Sequence, residues 1–380
     1  MIDRRSLLAR SAALAAMGAM NPTLLHAATA ATDKRFVFII QRGAADGLHI
    51  VPPLGDPAFA ALRGGFLDSL HGAHRLDGTF SLHPSLGRLA GMYDRKQMIV
   101  AHAVASTYRD RSHFDGQNVL ETGGTQAYAE KQGWMNRLLP LLPDGRALAL
   151  AADVPMALRG PAPVSSYAPS GLPQAQDDLI LRVSRLYGQD PQLDGLWNQV
   201  MQTKGLVGDL AKSRGQSPAD LGRVAARMMT GANGARVLMM ETGGWDTHTG
   251  QTGRLAGQLS NLDTLIDTMA QALGPAWNDT LVLVATEFGR TAAINGTGGT
   301  DHGTGSAALL LGGALANGGR VMADWPGVGP GALFEARDLR PTLATEALVC
   351  GALAQHFALD PALVARRLYP AQQALRVTSI

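Results

Sequence analysis

The sequence predicts an α/β fold: a doubly wound, mostly parallel sheet with helices on both faces. Three observations point to it. Short continuous apolar runs recur along the chain, as expected of strands buried on both faces. Between them lie stretches with apolar residues three and four apart, the mark of amphipathic helices. Glycine-rich clusters carrying Asp, Glu and His follow several of the runs, which is where open α/β sheets bind ligands.

The first strand is Arg35-Phe36-Val37-Phe38-Ile39-Ile40. Gln97–His102, Ala147–Leu150, Val237–Met240, Thr280–Ala285 and Ala307–Leu311 are runs of the same kind. The longest helix is read from Leu255, Leu259, Leu262, Leu265, Ile266 and Met269, which share one face. Further helical patterns fall near Asp178–Tyr187, Pro191–Lys204, Pro218–Met229 and Leu339–Phe357. The stretch Val154–Gln176 is rich in Pro, Ser and Gly and reads as a long loop or a small cap over the sheet. No composition shift marks a further boundary, so residues 31–380 are expected to form one domain. A chain of roughly 350 residues can bury a large core.

Residues 1–30 read as a twin-arginine export signal. Asp3-Arg4-Arg5-Ser6-Leu7-Leu8 supplies the arginine pair, Ala12–Met20 a weakly apolar stretch, and Ala28-Thr29-Ala30 a small-x-small cleavage site. The stretch is too short and too rich in Ala and Gly to favour spanning, since a membrane helix needs about 20 apolar residues. The expected location is periplasmic or extracellular, with no transmembrane anchor after cleavage. The chain has 33 Lys+Arg against 31 Asp+Glu. Arg4, Arg5 and Arg10 against Asp3 account for that excess, so the remainder is close to neutral. Near-neutrality argues against nucleic acid, which demands a basic footprint. The single cysteine, Cys350, cannot form an internal disulfide and reads as helix packing.

Two clusters suggest a metal. Gly243-Gly244-Trp245-Asp246-Thr247-His248 follows a strand and offers a carboxylate and an imidazole two residues apart. Gly298-Gly299-Thr300-Asp301-His302-Gly303 offers a second pair. It precedes the strand at Ala307, so that strand has to run antiparallel if both pairs are to share one mouth. The first strand leads into Arg42 and Asp46, and the strand ending at Ala285 leads into Glu287 and Arg290. The candidate metal ligands are therefore Asp46, Asp246, His248, Glu287, Asp301 and His302. Plainer readings exist: Asp46-Gly47 is turn chemistry, and Glu287 can cap a helix or pair with Arg290. In Tyr108–Gln117, Ser112 would sit near a helix N-terminus, where free N–H groups favour an anion. A Ser N-cap without chemistry is the ordinary alternative. His113 beside it can be a ligand, a base or a packed imidazole.

Together, Arg42–Gly47, Ser112–Asp115, Gly243–His248, Glu287–Arg290 and Gly299–Gly303 resemble the exported family called domain of unknown function 1501. The resemblance runs over nearly the whole chain. That family in turn is similar to the alkaline phosphatase and sulfatase superfamily, which implies a two-metal site at the strand ends. Carried across, Asp246, His248 and His302 match the first metal site, and Asp46 matches the Asp that serves the second. Glu287 falls where the second site expects the Asp of an Asp-His pair, and Phe288 takes the place of its His. That leaves either a single-metal site or His113 standing in. The resemblance puts Ser112 or His113 near the nucleophile, and the count back from Thr122-Gly123 favours His113.

Three functional readings compete. The first is a hydrolase of phosphate or sulfate esters or a related small anionic substrate, with Ser112 as nucleophile and Arg42 or Arg290 binding the anion. Its divalent metal is expected to be zinc, with calcium, manganese or iron as alternatives. The second is a degenerate member that binds metal or ligand without turnover, acting with another exported protein. The third is a mononuclear iron enzyme, since two His and one carboxylate make a facial-triad composition.

Overall fold

The computed structural model describes residues 33–143, 145–168, 177–207, 217–231, 234–313 and 315–380. The expected signal at 1–30 lies outside them. The strands are β1 (Arg35–Gln41), β2 (His74–Arg75), β3 (Ser81–Leu82), β4 (Met98–Ala105), β5 (Ala147–Leu150), β6 (Val164–Tyr167), β7 (Val237–Thr242), β8 (Thr280–Ala285), β9 (Ser306–Leu311), β10 (Arg320–Met322) and β11 (Leu343–Ala344). Helices α1 (Gly47–Ile50), α2 (Phe59–Arg63), α3 (Gly87–Asp94), α4 (His113–Thr122) and α5 (Trp134–Leu138) fall in the first part of the chain. They are followed by α6 (Asp177–Tyr187), α7 (Pro191–Val207), α8 (Pro218–Met229), α9 (Gln251–Leu273), α10 (Thr345–Phe357) and α11 (Pro361–Leu368).

The central sheet has the order β10-β4-β9-β8-β1-β7-β5-β6, with β11 also on β4, and β2-β3 form a separate small hairpin. Among the described strands only β9 runs against its neighbours in the central sheet, pairing antiparallel with both β4 and β8. That is the direction required if Asp301-His302 are to reach the same mouth as Asp246 and His248. Alternation along the strands divides the core into two layers. Val37 and Ile39 of β1 face one, with Leu255, Leu259, Leu262, Ile266 and Met269 of α9. Phe36, Phe38 and Ile40 face the other, with Trp134, Leu348, Leu353 and Leu368 from α5, α10 and α11. The architecture is the expected doubly wound, mostly parallel one.

Helix starts follow local chemistry. Ser217 accepts a hydrogen bond from the Asp220 amide ahead of Pro218, and Asp360 does the same for Ala362 ahead of Pro361. Two boundaries differ from expectation. The segment from Leu339 is not helical until Thr345, because Pro341 interrupts it and Leu343–Ala344 pair with Val104–Ala105 instead. Val164–Tyr167, inside the expected loop or cap, is a parallel strand at the sheet edge beside β5. Met156–Leu158, also within that stretch, forms a short 3-10 turn, and 169–176 lies outside the described residues. Among the described residues no helix is long and apolar enough to cross a membrane.

Candidate metal centre

The mouth is built on the carboxyl ends of β1, β7 and β8 and on the loop entering β9. After β7 the chain runs through Trp245, Asp246, Thr247 and His248 with alternating burial. Trp245 and Thr247 are fully buried, while Asp246 and His248 stay accessible. Trp245 donates its indole N–H to Thr242 Oγ1 at 3.0 Å, and Thr247 Oγ1 donates to Gln251 Oε1 at 3.0 Å. Two buried anchors thus present the Asp and the His between them to one side. Gly43 lets the β1 loop lie against this segment: its φ is +117°, and a Cβ there would meet the Asp246 amide nitrogen at 2.7 Å. Across the mouth, Arg290 and His302 form an isolated antiparallel bridge that fixes the second loop.

Three imidazoles converge on Asp246. His248 Nε2 lies 3.0 Å from Asp246 Oδ1 and 3.0 Å from His302 Nε2. His302 Nε2 is 3.4 Å from Asp246 Oδ1, and His113 Nε2 is 3.5 Å from Asp246 Oδ2. His113, Asp246 and His302 each offer a ligand atom within 4.8 Å of the others. Four ligands at ~2.0–2.1 Å from a zinc-like ion would stand about 3.3 Å apart, so these separations have the right scale.

The other ring nitrogens fix the tautomers. His248 Nδ1 faces Asp301 Oδ1 at 3.0 Å, His113 Nδ1 faces Glu287 Oε1 at 2.9 Å, and His302 Nδ1 faces the Arg111 carbonyl at 2.9 Å. All three partners are acceptors, so each Nδ1 carries the proton, and in the neutral ring each Nε2 presents a lone pair. His113 Nε2 is buried with no hydrogen-bond partner. As neutral rings protonated on Nδ1, His248 and His302 bring two lone pairs face to face, which is repulsive unless a cation lies against both. Imidazoles held by carboxylates or carbonyls on the far nitrogen are how proteins orient metal ligands. The donor set fits a borderline-soft divalent cation such as zinc.

Electrostatics keep the carboxylates charged. Burial would raise the Asp246 carboxyl, but the Arg290 guanidinium bonded to it prevails and holds it below the usual range. Glu287 is fully buried, and burial would raise it too. Hydrogen bonds from His113, Gln117 and the Gly43 amide reverse the effect. Asp301 is lowered, first by its hydrogen bond from Asn295 and then by His248. The His113 imidazole is raised by its bond to Glu287, and His302 is lowered by burial and by the neighbouring His113.

Several expected site residues stand elsewhere than the sequence suggests. Asp46 is not a member of the cluster. It is buried and paired with Arg63, Oδ2 to Nη1 at 2.6 Å and Oδ1 to Nη2 at 3.1 Å, and Gln251 donates to it at 2.5 Å. Glu287 and Asp301 hold imidazoles by Nδ1 instead of facing the cluster with a free oxygen. Phe288, in the place of the missing His, stacks on His113 at 5.1 Å between centroids and so braces that ring. The two arginines expected to bind an anion are committed. Arg42 is bonded to Gln117, Glu121 and Glu241. Arg290 donates to the carbonyls of Gly43, Ala44, Trp245 and Thr300 as well as to Asp246. Ser112 stands at the N-cap of α4, and its side chain makes no capping bond. Arg63, Gln251 and Asn295 are the residues that sequence reading missed. Gln251 opens a visible amphipathic helix three residues beyond the Asp-x-His turn. Arg63 carries no local signal, because its partner is 17 residues away.

A search of curated proteins returned no match. Among solved structures the chain is similar to a protein in the alkaline phosphatase superfamily from Vibrio parahaemolyticus. The identity is 14%, over 80% of this chain and 67% of that one, with a TM-score of 0.41. It is similar to alkaline phosphatase from the Antarctic bacterium TAB5 at 11% identity, over 76% and 94% of the two chains, with a TM-score of 0.35. It is also similar to the C-terminal periplasmic domain of EcEptC from Escherichia coli, in a complex with Zn. There the identity is 8%, over 74% of each chain, with a TM-score of 0.37. The family profile described as "Protein of unknown function (DUF1501)" matches residues 33–368, nearly the whole described chain, and the protein belongs to that family.

Proposed function

We propose that this protein is an exported metal-dependent hydrolase of phosphate or sulfate esters or a related small anion. His248, His302, Asp246 and His113 would hold the divalent metal, zinc in the first instance. One observation carries the reading: three imidazoles, each with Nδ1 tied to an acceptor, turn their Nε2 lone pairs toward one carboxylate. Export by the twin-arginine route rests on Arg4-Arg5 and the small-residue site at Ala28–Ala30.

A bound divalent ion would supply Lewis acidity toward an anionic ester. The chain's own residues do the rest. Glu287, Asp301 and the Arg111 carbonyl orient the three rings and keep their protons on Nδ1. Arg290 keeps Asp246 ionised. Ser112, at the N-cap of α4 with its hydroxyl making no capping bond, is the proposed nucleophile, beside the amides of the helix N-terminus.

The test is metal content and turnover together. The natively purified protein should hold a divalent metal, and a chelator should lower its melting temperature. His302→Ala should abolish the chelator response. Ser112→Ala should remove turnover of an aryl phosphate or aryl sulfate while metal and melting temperature stay as in wild type. A protein without metal after native purification ends the proposal, and iron as the resident metal moves it to the oxidative class.

A second reading, metal binding without ester turnover, has a specific observation in its favour. Both arginines that would clamp an anion, Arg42 and Arg290, already have in-chain partners. A metal-loaded protein that turns over no phosphate, phosphonate or sulfate ester would establish it, with an exported protein as the expected partner.

A further inference from the structure

We infer that this centre takes a single divalent cation, and that Arg63 is a built-in cation occupying the place where a second would sit. The inference rests on the metal reading above and concerns how many ions that site accepts.

The resemblance brings two carboxylates to a second metal, Asp46 and Glu287. The structure shows both saturated. Asp46 is gripped by the Arg63 fork, and the side chains of both partners are 1% exposed. Four of the five Arg63 N–H donors are engaged, since Nε also bonds the Ala292 carbonyl at 2.6 Å and Nη2 the Thr291 carbonyl at 2.8 Å. Its guanidinium also lies 5.6 Å from the centroid of the Phe66 ring. A bidentate guanidinium on a buried carboxylate supplies the positive charge a metal would supply, with fixed geometry. For Asp46 to ligate an ion, the guanidinium would have to be left buried and unpaired. Glu287 is equally occupied: Oε1 accepts from Gly43, His113 and Gln117, and Oε2 from Thr286.

Charge leads to the same number. The groups touching the imidazoles are Asp246, Asp301 and Glu287 against the guanidinium of Arg290. Three carboxylates and one guanidinium leave two negative charges, which one divalent ion neutralises. Asp46 and Arg63 neutralise each other. A second divalent ion would stand as an uncompensated double charge beside two buried guanidinium groups, an arrangement a low-dielectric site disfavours.

The experiment is a zinc titration of the chelated, reloaded full-length mature protein, by calorimetry and by elemental analysis after desalting. One equivalent per chain is expected. Two equivalents would overturn the inference while leaving the metal reading standing, and no binding would overturn both. Two variants locate the second cation. Arg63→Ala should be destabilised, and excess zinc or guanidinium ion should restore part of its melting temperature, since the vacated place again accepts a cation. Restoration by neither would overturn the assignment of Arg63. If Arg63→Ala fails to fold, the double variant Asp46→Asn with Arg63→Met removes both charges together. It should keep one equivalent of zinc, with a Kd within about twofold of wild type, as expected for sites that do not interact. Loss of that equivalent would make Asp46 a ligand and overturn the inference.

Discussion

Two polar clusters lie at the same mouth and handle buried charge in opposite ways. In the cluster of Asp46, Arg63, Gln251 and His49, donors meet acceptors. Arg63 is paired with Asp46, Gln251 bridges Asp46 and His49, and His49 Nε2 reaches Ser69 Oγ at 3.0 Å. In the cluster of Asp246, His113, His248 and His302, two Nε2 atoms face each other at 3.0 Å, and the Nε2 of His113 has no hydrogen-bond partner. The two are tied together through Gln251, whose Oε1 accepts from Thr247 and from Thr300 at 2.6 Å. A closed network specifies the loops, and the open one leaves room for something from outside. The contrast teaches that a carboxylate after a strand is not by itself a ligand. What matters is whether the chain has already supplied its cation.

The comparison predicts different costs for similar substitutions. Asp46→Asn strands a buried guanidinium and should cost about 3–5 kcal/mol of unfolding free energy, measured by urea denaturation, with metal affinity nearly unchanged. A loss below ~1 kcal/mol would show that the closed network is not what holds these loops.

Acid should separate the clusters next. Burial pushes the His49 imidazole down to about 3, and His83, His102 and His356 to about 4. Each folded-state value lies below the unfolded value of ~6.5, so the unfolded chain binds more protons between the two. Stability present above about pH 6.5 should therefore fall as pH drops toward 4. Chelated protein followed by circular dichroism across that range should show the slope. A flat profile would mean these rings are already protonated in the fold.

On the open side, Asp301→Asn leaves the ligands in place but weakens the carboxylate that orients His248. Metal affinity should fall roughly 10–100-fold, read with a competing chelator, while the metal-free melting temperature barely moves. A large fall in the metal-free protein would make Asp301 a structural residue instead. The smallest effect expected is from Thr247→Val, which removes a hydrogen bond to the shared Gln251 and should cost about 1 kcal/mol. If it also weakens metal binding, the two clusters are coupled.

The sheet was legible because its strands are continuous apolar runs, and even the reversed direction of β9 followed from where Asp301-His302 had to reach. The His–Asp cluster at the mouth was half legible. Asp246, His248 and His302 announce themselves by spacing and glycine, and His113 by its helix start. The partition of carboxylates was not legible. Asp46, Glu287 and Asp301 look alike in sequence, and their different duties depend on Arg63, His113 and Asn295, which arrive from other segments. The commitments of Arg42 and Arg290 were hidden for the same reason, since their partners lie on other loops. The helix start near Thr345 was misplaced because β11 takes the residues just before it into the sheet.

The reversed strand β9 has one more consequence. Because the chain enters β9 from the mouth, His302 arrives there from the side opposite His248, 54 positions further along the chain. That span contains the whole of α9 and β8. An ion held by both rings would therefore be a removable cross-link, closing a long loop without a disulfide in a chain that has one cysteine. Stripping it should loosen amide exchange first in 295–303, while β8, locked between β1 and β9, keeps its protection.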